Sequence, residues 1–193
     1  TATVTAVGQK FTLTNTAVTI GSAAAPELQL SETGSAAGVI IDRVSYCADG
    51  NGFVYGIDNV FSDADILNNL TTPAGSIRVT ANESGAYSTG AKIELLDAEG
   101  ATVETYYFIF FGDINGDSYV DFIDVTSVEG INSFMDFDYM AGDGSCQGMA
   151  ADINGDSFID FIDVTFVEGV NSFMDFPTQA DTAATVAASK GIS

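Results

Sequence analysis

Oxygen-bearing side chains recur at a fixed spacing in two stretches of this chain. The first, DINGDSYVDFID, occupies residues 113–124; the second, DINGDSFIDFID, occupies residues 152–163. Counted from the first aspartate, positions 1, 3, 5, 9 and 12 hold Asp113, Asn115, Asp117, Asp121 and Asp124 in one copy. The other copy has Asp152, Asn154, Asp156, Asp160 and Asp163 at the same positions. Position 7, Tyr119 or Phe158, would add its backbone carbonyl. Such spacing wraps a loop around a hard cation and offers it six to eight oxygens, the way proteins hold Ca²⁺. Mg²⁺ demands a tighter octahedron with more water, and Zn²⁺ prefers His nitrogen or Cys sulfur. The chain contains no His, so the donor set selects two Ca²⁺ ions, one per loop. A pair of solvated acidic turns is the weaker reading, because four carboxylates on twelve residues repel one another without a cation.

The duplication runs past the loops. Residues 113–137 and 152–176 are identical at 21 of 25 positions, and each loop is followed by a helical pattern, FIDVTSVEGINSFMDF or FIDVTFVEGVNSFMDF. At 100° per residue, Val125, Val128, Asn132 and Met135 share one side of the first helix, suited to packing against the second repeat. Ile123, Ser127, Gly130, Ile131, Phe134 and Phe137 gather on the opposite side. In the copy that second face is Ile162, Phe166, Gly169, Val170, Phe173 and Phe176, more apolar still. A 65-residue calcium module cannot bury both faces internally, so a protein partner is expected on at least one of them.

Two details distinguish these repeats from paired helix–loop–helix calcium sites. Position 12 is Asp instead of a bidentate Glu, and position 6 is Ser118 or Ser157 instead of Gly. No helical pattern enters either loop. A duplicated loop with one exiting helix, closed by Asp, resembles the dockerin module (type I repeat) of bacterial cell-surface and cellulosome-type proteins, over about residues 112–176. The preceding NGFVYGI and STGAKIELLDAEGATVETYYFIFF resemble the β-module placed before such repeats in secreted proteins of Gram-positive anaerobes. The resemblance implies a cohesin-like β-sandwich partner. It would be contacted through Phe122, Ile123, Gly130, Ile131 and Phe134 and through Phe161, Ile162, Gly169, Val170 and Phe173. Dockerins often carry polar or basic side chains at these positions, where this chain is largely apolar.

Residues 1–111 read as β structure. FTLTNTAVTI, AGVIIDRVSY, GFVYGI, SIRVT, AKIELL and ATVETYYFIFF are short runs rich in Val, Ile, Thr, Tyr and Phe, punctuated by Gly, Asn, Asp and Pro. DAEG at 97–100 predicts a hairpin turn with Gly100 left-handed, and SDAD at 62–65 predicts a cap on a short helical turn. The even spacing predicts an Ig-like β-sandwich over 1–111, followed without a linker by a small α domain over 112–176. PTQADTAATVAASKGIS, 177–193, reads as a polar tail, able to lie as a strand along a neighbour's sheet edge.

Composition narrows the function classes. Acidic residues number 27 against 5 basic, a formal charge of −22, which argues against binding nucleic acid or anionic lipid. There is no apolar run long enough to span a membrane. The opening TATVTAVGQK, without Met or leader, reads as a processed N-terminus of an extracellular or cell-surface protein. Cys47 and Cys146 are candidates for one disulfide or for two separate core thiols. Asn69 (NLT) and Asn82 (NES) match the glycosylation pattern. The only carboxylates outside the loops that invite inspection for catalysis are Asp42 and Asp49, and no enzyme is expected. The sequence therefore reads as a calcium-binding structural protein that self-assembles into a filament or surface layer. The alternative is a docking module for a cohesin-like scaffold.

Overall fold

The computed structural model describes residues 24–133, 144–172 and 177–192. In chain order its elements are β1 (Gln29–Leu30), α1 (Glu32–Ala37), β2 (Ile40–Asp42), β3 (Gly52–Tyr55), α2 (Asp63–Leu67), β4 (Leu70–Thr71), β5 (Ser76–Thr80), β6 (Lys92–Leu96), β7 (Thr102–Ile109), α3 (Phe122–Asn132), α4 (Cys146–Ala151), α5 (Phe161–Asn171) and α6 (Gln179–Ser189). Five strands form one sheet in the order β2-β3-β7-β6-β5. β3 and β7 run parallel, with Val54 opposite Phe108, and the other pairs are antiparallel. β1 and β4 make a small separate ribbon.

Several local expectations hold. β6 and β7 form the DAEG hairpin, in which Asp97 Oδ1 accepts from the N–H groups of Glu99 and Ala101 at 3.0 and 2.8 Å. Gly100 there has φ 84°, the left-handed conformation a side chain disfavours. Ser62 and Asp65 form the capping box that starts α2.

The expected Ig-like sandwich followed by a separate α domain is not what forms. Among the described residues the chain is a mixed α/β fold around a five-stranded sheet, with helices packed against it. The cause is the burial of both sheet faces. Phe53 and Tyr55 of β3 point to one side and join Ile109, Phe111, Val125, Val128, Ile131, Val164, Val167, Ala183 and Val186 in one core. Val54, Tyr106, Phe108, Ile93 and Leu95 point to the other side and pack with Leu28, Val39, Ile66 and Leu70. A strand buried on both faces cannot alternate apolar with polar residues. FVY and FIFF are accordingly continuous apolar runs, and the helix pair α3/α5 shares a core with the sheet.

The stretch expected to be a polar tail supplies α6. Thr178 caps it with a side-chain bond from the Asp181 N–H, reciprocated by Asp181. Gln179 clamps the end of β7: its Oε1 accepts from the Phe111 N–H at 2.8 Å, and its Nε2 donates to the Phe111 carbonyl at 2.9 Å. The Gln179 N–H donates to Asp58 Oδ1 at 2.8 Å. Ala183 and Val186 are fully buried. The helix closes where the Ile192 N–H reaches back to the Ala187 carbonyl at 2.9 Å, a Schellman-type end with Gly191 at φ 70°. Within this chain the segment is therefore core helix, not a strand to be donated. The Thr-rich start, 1–20, lies outside the described residues.

Candidate metal centre

Both Asp-rich loops repeat the same left-handed positions, but they are entered differently. β7 leads into the first, whereas α4 ends on Asp152 as its C-cap, so a short helix does enter the second loop, contrary to expectation. Gly116 and Ser118 have φ 73° and 79°, and Gly155 and Ser157 have 69° and 72°. A left-handed serine costs about 1–2 kcal/mol relative to its right-handed form, and the loop returns a hydrogen bond at that position. The Ser118 N–H donates to Asp113 Oδ2 at 3.0 Å, and the Ser157 N–H donates to Asp152 Oδ2 at 3.1 Å. The carboxylate at position 1 thus sits inside a backbone turn that only a φ-positive residue 6 can close.

The remaining candidate ligands follow in parallel. The Asp117 N–H donates to Asn115 Oδ1 at 2.9 Å, and the Asp156 N–H donates to Asn154 Oδ1 at 2.8 Å. Asn115 Nδ2 and Asn154 Nδ2 donate to Asp117 and Asp156 at 3.0 and 3.1 Å. Tyr119 and Phe158 present exposed rings while their N–H groups bond Asp117 and Asp156. Asp121 and Asp160 are the N-caps of α3 and α5. Asp124 and Asp163 reach back to the cap N–H at 3.0 and 2.9 Å, and also accept from Ile114 and Ile153 at 2.8 and 2.9 Å. Positions 9 and 12 therefore have a helix-capping role in addition to any ligand role.

Capping does not account for position 1. Asp113, Asp124, Asp152 and Asp163 are all buried. Burial, reinforced by the neighbouring carboxylates, pushes Asp113 and Asp163 up to about 6 and raises Asp124 and Asp152. Asp152 Oδ1 is buried with no hydrogen-bond partner. A carboxylate oxygen in that condition is disfavoured by about 1–3 kcal/mol or more, and a cation relieves it. Among the described residues no group of three or more His, Cys, Asp or Glu side chains is already gathered as a ligand set. The loop carboxylates are folded back on N–H donors instead. The donor chemistry and the orphaned oxygen fit calcium: Asp113 or Asp152 would hold it with the oxygens at positions 3, 5, 7, 9 and 12.

Sequence reasoning missed the groups that grip the loops from outside. At the first loop, the Ser88 hydroxyl donates to Asp113 Oδ2. Asn82 Nδ2 and Ser84 Oγ donate to the Gly116 carbonyl at 2.6 and 2.9 Å. At the second loop the equivalent Gly155 carbonyl accepts from Ser189 Oγ of α6 at 2.7 Å. These partners come from distant parts of the chain and carry no local signal. Asn82 also donates to Thr89 O, and Asn69 Nδ2 donates to Asp65 O at 2.7 Å, so both candidate glycosylation amides are engaged within the fold.

The helix faces are only partly as expected. Val125 and Val128 are buried against Val164 and Val167. Ile131, expected on a partner face, is buried at 4% exposure, whereas its counterpart Val170 is 38% exposed. Phe166 is half-buried against the same core, Gly169 is buried and Gly130 half-buried. Phe122 and Phe161 are each 70% exposed, with Ile123 and Ile162 beside them also exposed. Phe134, Phe137, Phe173, Phe176 and Met135 lie outside the described residues.

Cys47 and Cys146 are both half-buried and line one broad cleft with Tyr107. The Ala48 N–H, bonded to the Gly144 carbonyl at 3.2 Å, holds their segments together. Asp42 is a structural carboxylate. It accepts from the N–H groups of Val44 and Ser45 at 2.8 Å, and from the hydroxyls of Ser45 and Tyr55 at 2.6 and 3.1 Å. Among the described residues, no helix is long and apolar enough to cross a membrane. Compared with family models, with curated proteins and with solved structures, the chain gives no match in any of the three.

Proposed function

We propose that this chain is a non-catalytic, extracellular structural protein in which two calcium ions lock the loops at 113–124 and 152–163. The observation that carries the reading is Asp152 Oδ1, buried and without a hydrogen-bond donor at the first position of a loop whose every other candidate ligand is also an oxygen. Calcium would neutralise carboxylates that burial disfavours and would tie the helix pair to the loops that precede it. Isothermal titration of the chelated 193-residue chain tests this, with two calcium ions per chain as the expected result. A flat titration, or melting curves superimposable in chelator and in calcium, would overturn it.

Exposed Phe122, Ile123, Phe161 and Ile162 support an association role for the same helix pair. The first turns of α3 and α5 present these side chains, while among the other described face residues Ile131 and Phe166 pack on the chain's own core and Val170 stays exposed. We assign them to contact with other copies of the chain. A head-to-tail contact of that kind propagates as a filament or layer unless a rotation closes it. Sedimentation in calcium tests this second step separately: a chain that binds calcium, stays monomeric and captures a cohesin-like β-sandwich would replace it with the docking reading.

A further inference from the structure

The two loops differ only at Tyr119/Phe158 and Val120/Ile159, and neither change alters an oxygen ligand, since position 7 offers its carbonyl. The loops already differ at position 1, where Asp113 Oδ1 accepts from the Gly116 and Asp117 N–H groups at 2.8 and 3.1 Å while Asp152 Oδ1 has no partner, and they differ again in what packs around them. The first loop is gripped by uncharged donors, Ser88 on Asp113 and Asn82 with Ser84 on Gly116. The second is gripped by the end of α6, where Ser189 bonds Gly155 and the next residue is Lys190. Lys190 lines a cleft of about 480 Å³ together with Asp152, Gly155, Asp156, Ser157 and Ser189.

The position of Lys190 is set by the helix that carries it. Val186 and Ala187 are buried, and the Lys190 N–H bonds back to their carbonyls at 3.2 Å each. Gln179 fixes the other end of α6 on Phe111. The backbone that carries Lys190 is therefore fixed beside the second loop, and its side chain lines the same cleft as Asp152. Asp152 is 3% exposed and its Oδ1 has no hydrogen-bond partner, so an ion entering there meets an open oxygen in a cleft that Lys190 also lines.

Resting on the calcium reading above, we propose that Lys190 is a built-in counter-cation of the second loop, so that the site at 152–163 binds calcium more weakly than the nearly identical site at 113–124. With no ion bound, Lys190 partly offsets the buried carboxylates; when a divalent ion arrives, the same charge opposes it. The difference between the sites is an electrostatic one, and it shrinks as salt screens the cleft.

Calcium titration of the full chain tests this in five versions. Wild type is expected to titrate in two phases, and Asp152→Asn is expected to remove the weaker one. Lys190→Met should tighten the weaker phase about three- to tenfold, the scale of one partly screened charge, and leave the tighter phase in place. Lys190→Arg, which keeps the charge, should behave as wild type; Lys190→Gln serves as a second neutral variant should the Met variant lose helix by circular dichroism. Two equal sites in wild type would overturn the proposal. So would loss of the tighter phase in Asp152→Asn, an unchanged weaker phase in both neutral variants, or equal tightening of both phases. Absence of any calcium binding would overturn the calcium reading itself, an outcome distinguishable from all of these.

Discussion

Asp152→Asn is expected to change the sign of its effect on stability with the calcium concentration. In chelator the wild-type chain carries a carboxylate that is 3% exposed, with one oxygen that finds no donor. An amide of the same shape removes the desolvated charge and leaves the Ser157 N–H an oxygen to donate to. The amide nitrogen takes the place of the unpaired oxygen, and because an unsatisfied buried group costs more when charged than when neutral, the gain is about 1 kcal/mol, or roughly 2–4 °C of melting temperature for a chain of this size. In calcium the ordering reverses. An ion at about 100 times its Kd stabilises the folded state by about 2.7 kcal/mol per site, and the variant forgoes that contribution at the second loop. The loss outweighs the gain, so the variant should melt roughly 3–7 °C below wild type. Its first loop should still respond to calcium, with stoichiometry falling from two to one. Thermal melts followed by circular dichroism, in EGTA and in excess calcium, read both halves. A variant less stable in both conditions would show that the Asp152 carboxylate is well satisfied without an ion; one more stable in both would show that no ion is held there.

Three further outcomes follow from the packing. Ser88→Ala removes the hydroxyl on Asp113 and should weaken calcium at the first loop by about tenfold, the lower end for loss of a group that orients a ligand, while the second loop is unaffected; equal weakening of both would refute a local role. Val186→Asp places a charge at a fully buried position of α6 and should destabilise the chain by about 3 kcal/mol or more in urea melts, whereas a solvated tail would show no change. Phe122→Asp with Phe161→Asp alters two side chains that are each 70% exposed; the double variant should stay folded and calcium-loaded but monomeric by sedimentation velocity, and normal assembly would remove those residues from the contact.

What the sequence determined by itself is what depends on bonds within a few residues. The oxygen spacing at Asp113–Asp124 and Asp152–Asp163, the Ser62 capping box and the DAEG hairpin are each closed by hydrogen bonds spanning ten residues or fewer. Their residue types suffice to announce them. Two further features are also local. FVY and FIFF lack polar alternation, which marks strands covered on both faces, and Thr178-x-x-Asp181 before an Ala-rich run is a helix start. The rest belonged to tertiary structure. β3 pairs in parallel with β7 across some fifty residues of chain, from Gly52 opposite Tyr106 to Tyr55 opposite Ile109, and no local pattern records that choice. That pairing, with α6 clamped on Phe111, decides which neighbours each repeat meets. Ile131 is buried while Val170 is exposed, and Ser88 stands over one loop while Ser189 and Lys190 stand over the other. Near-identical repeats acquire different surroundings because one chain cannot place the same elements beside both members of the helix pair α3/α5.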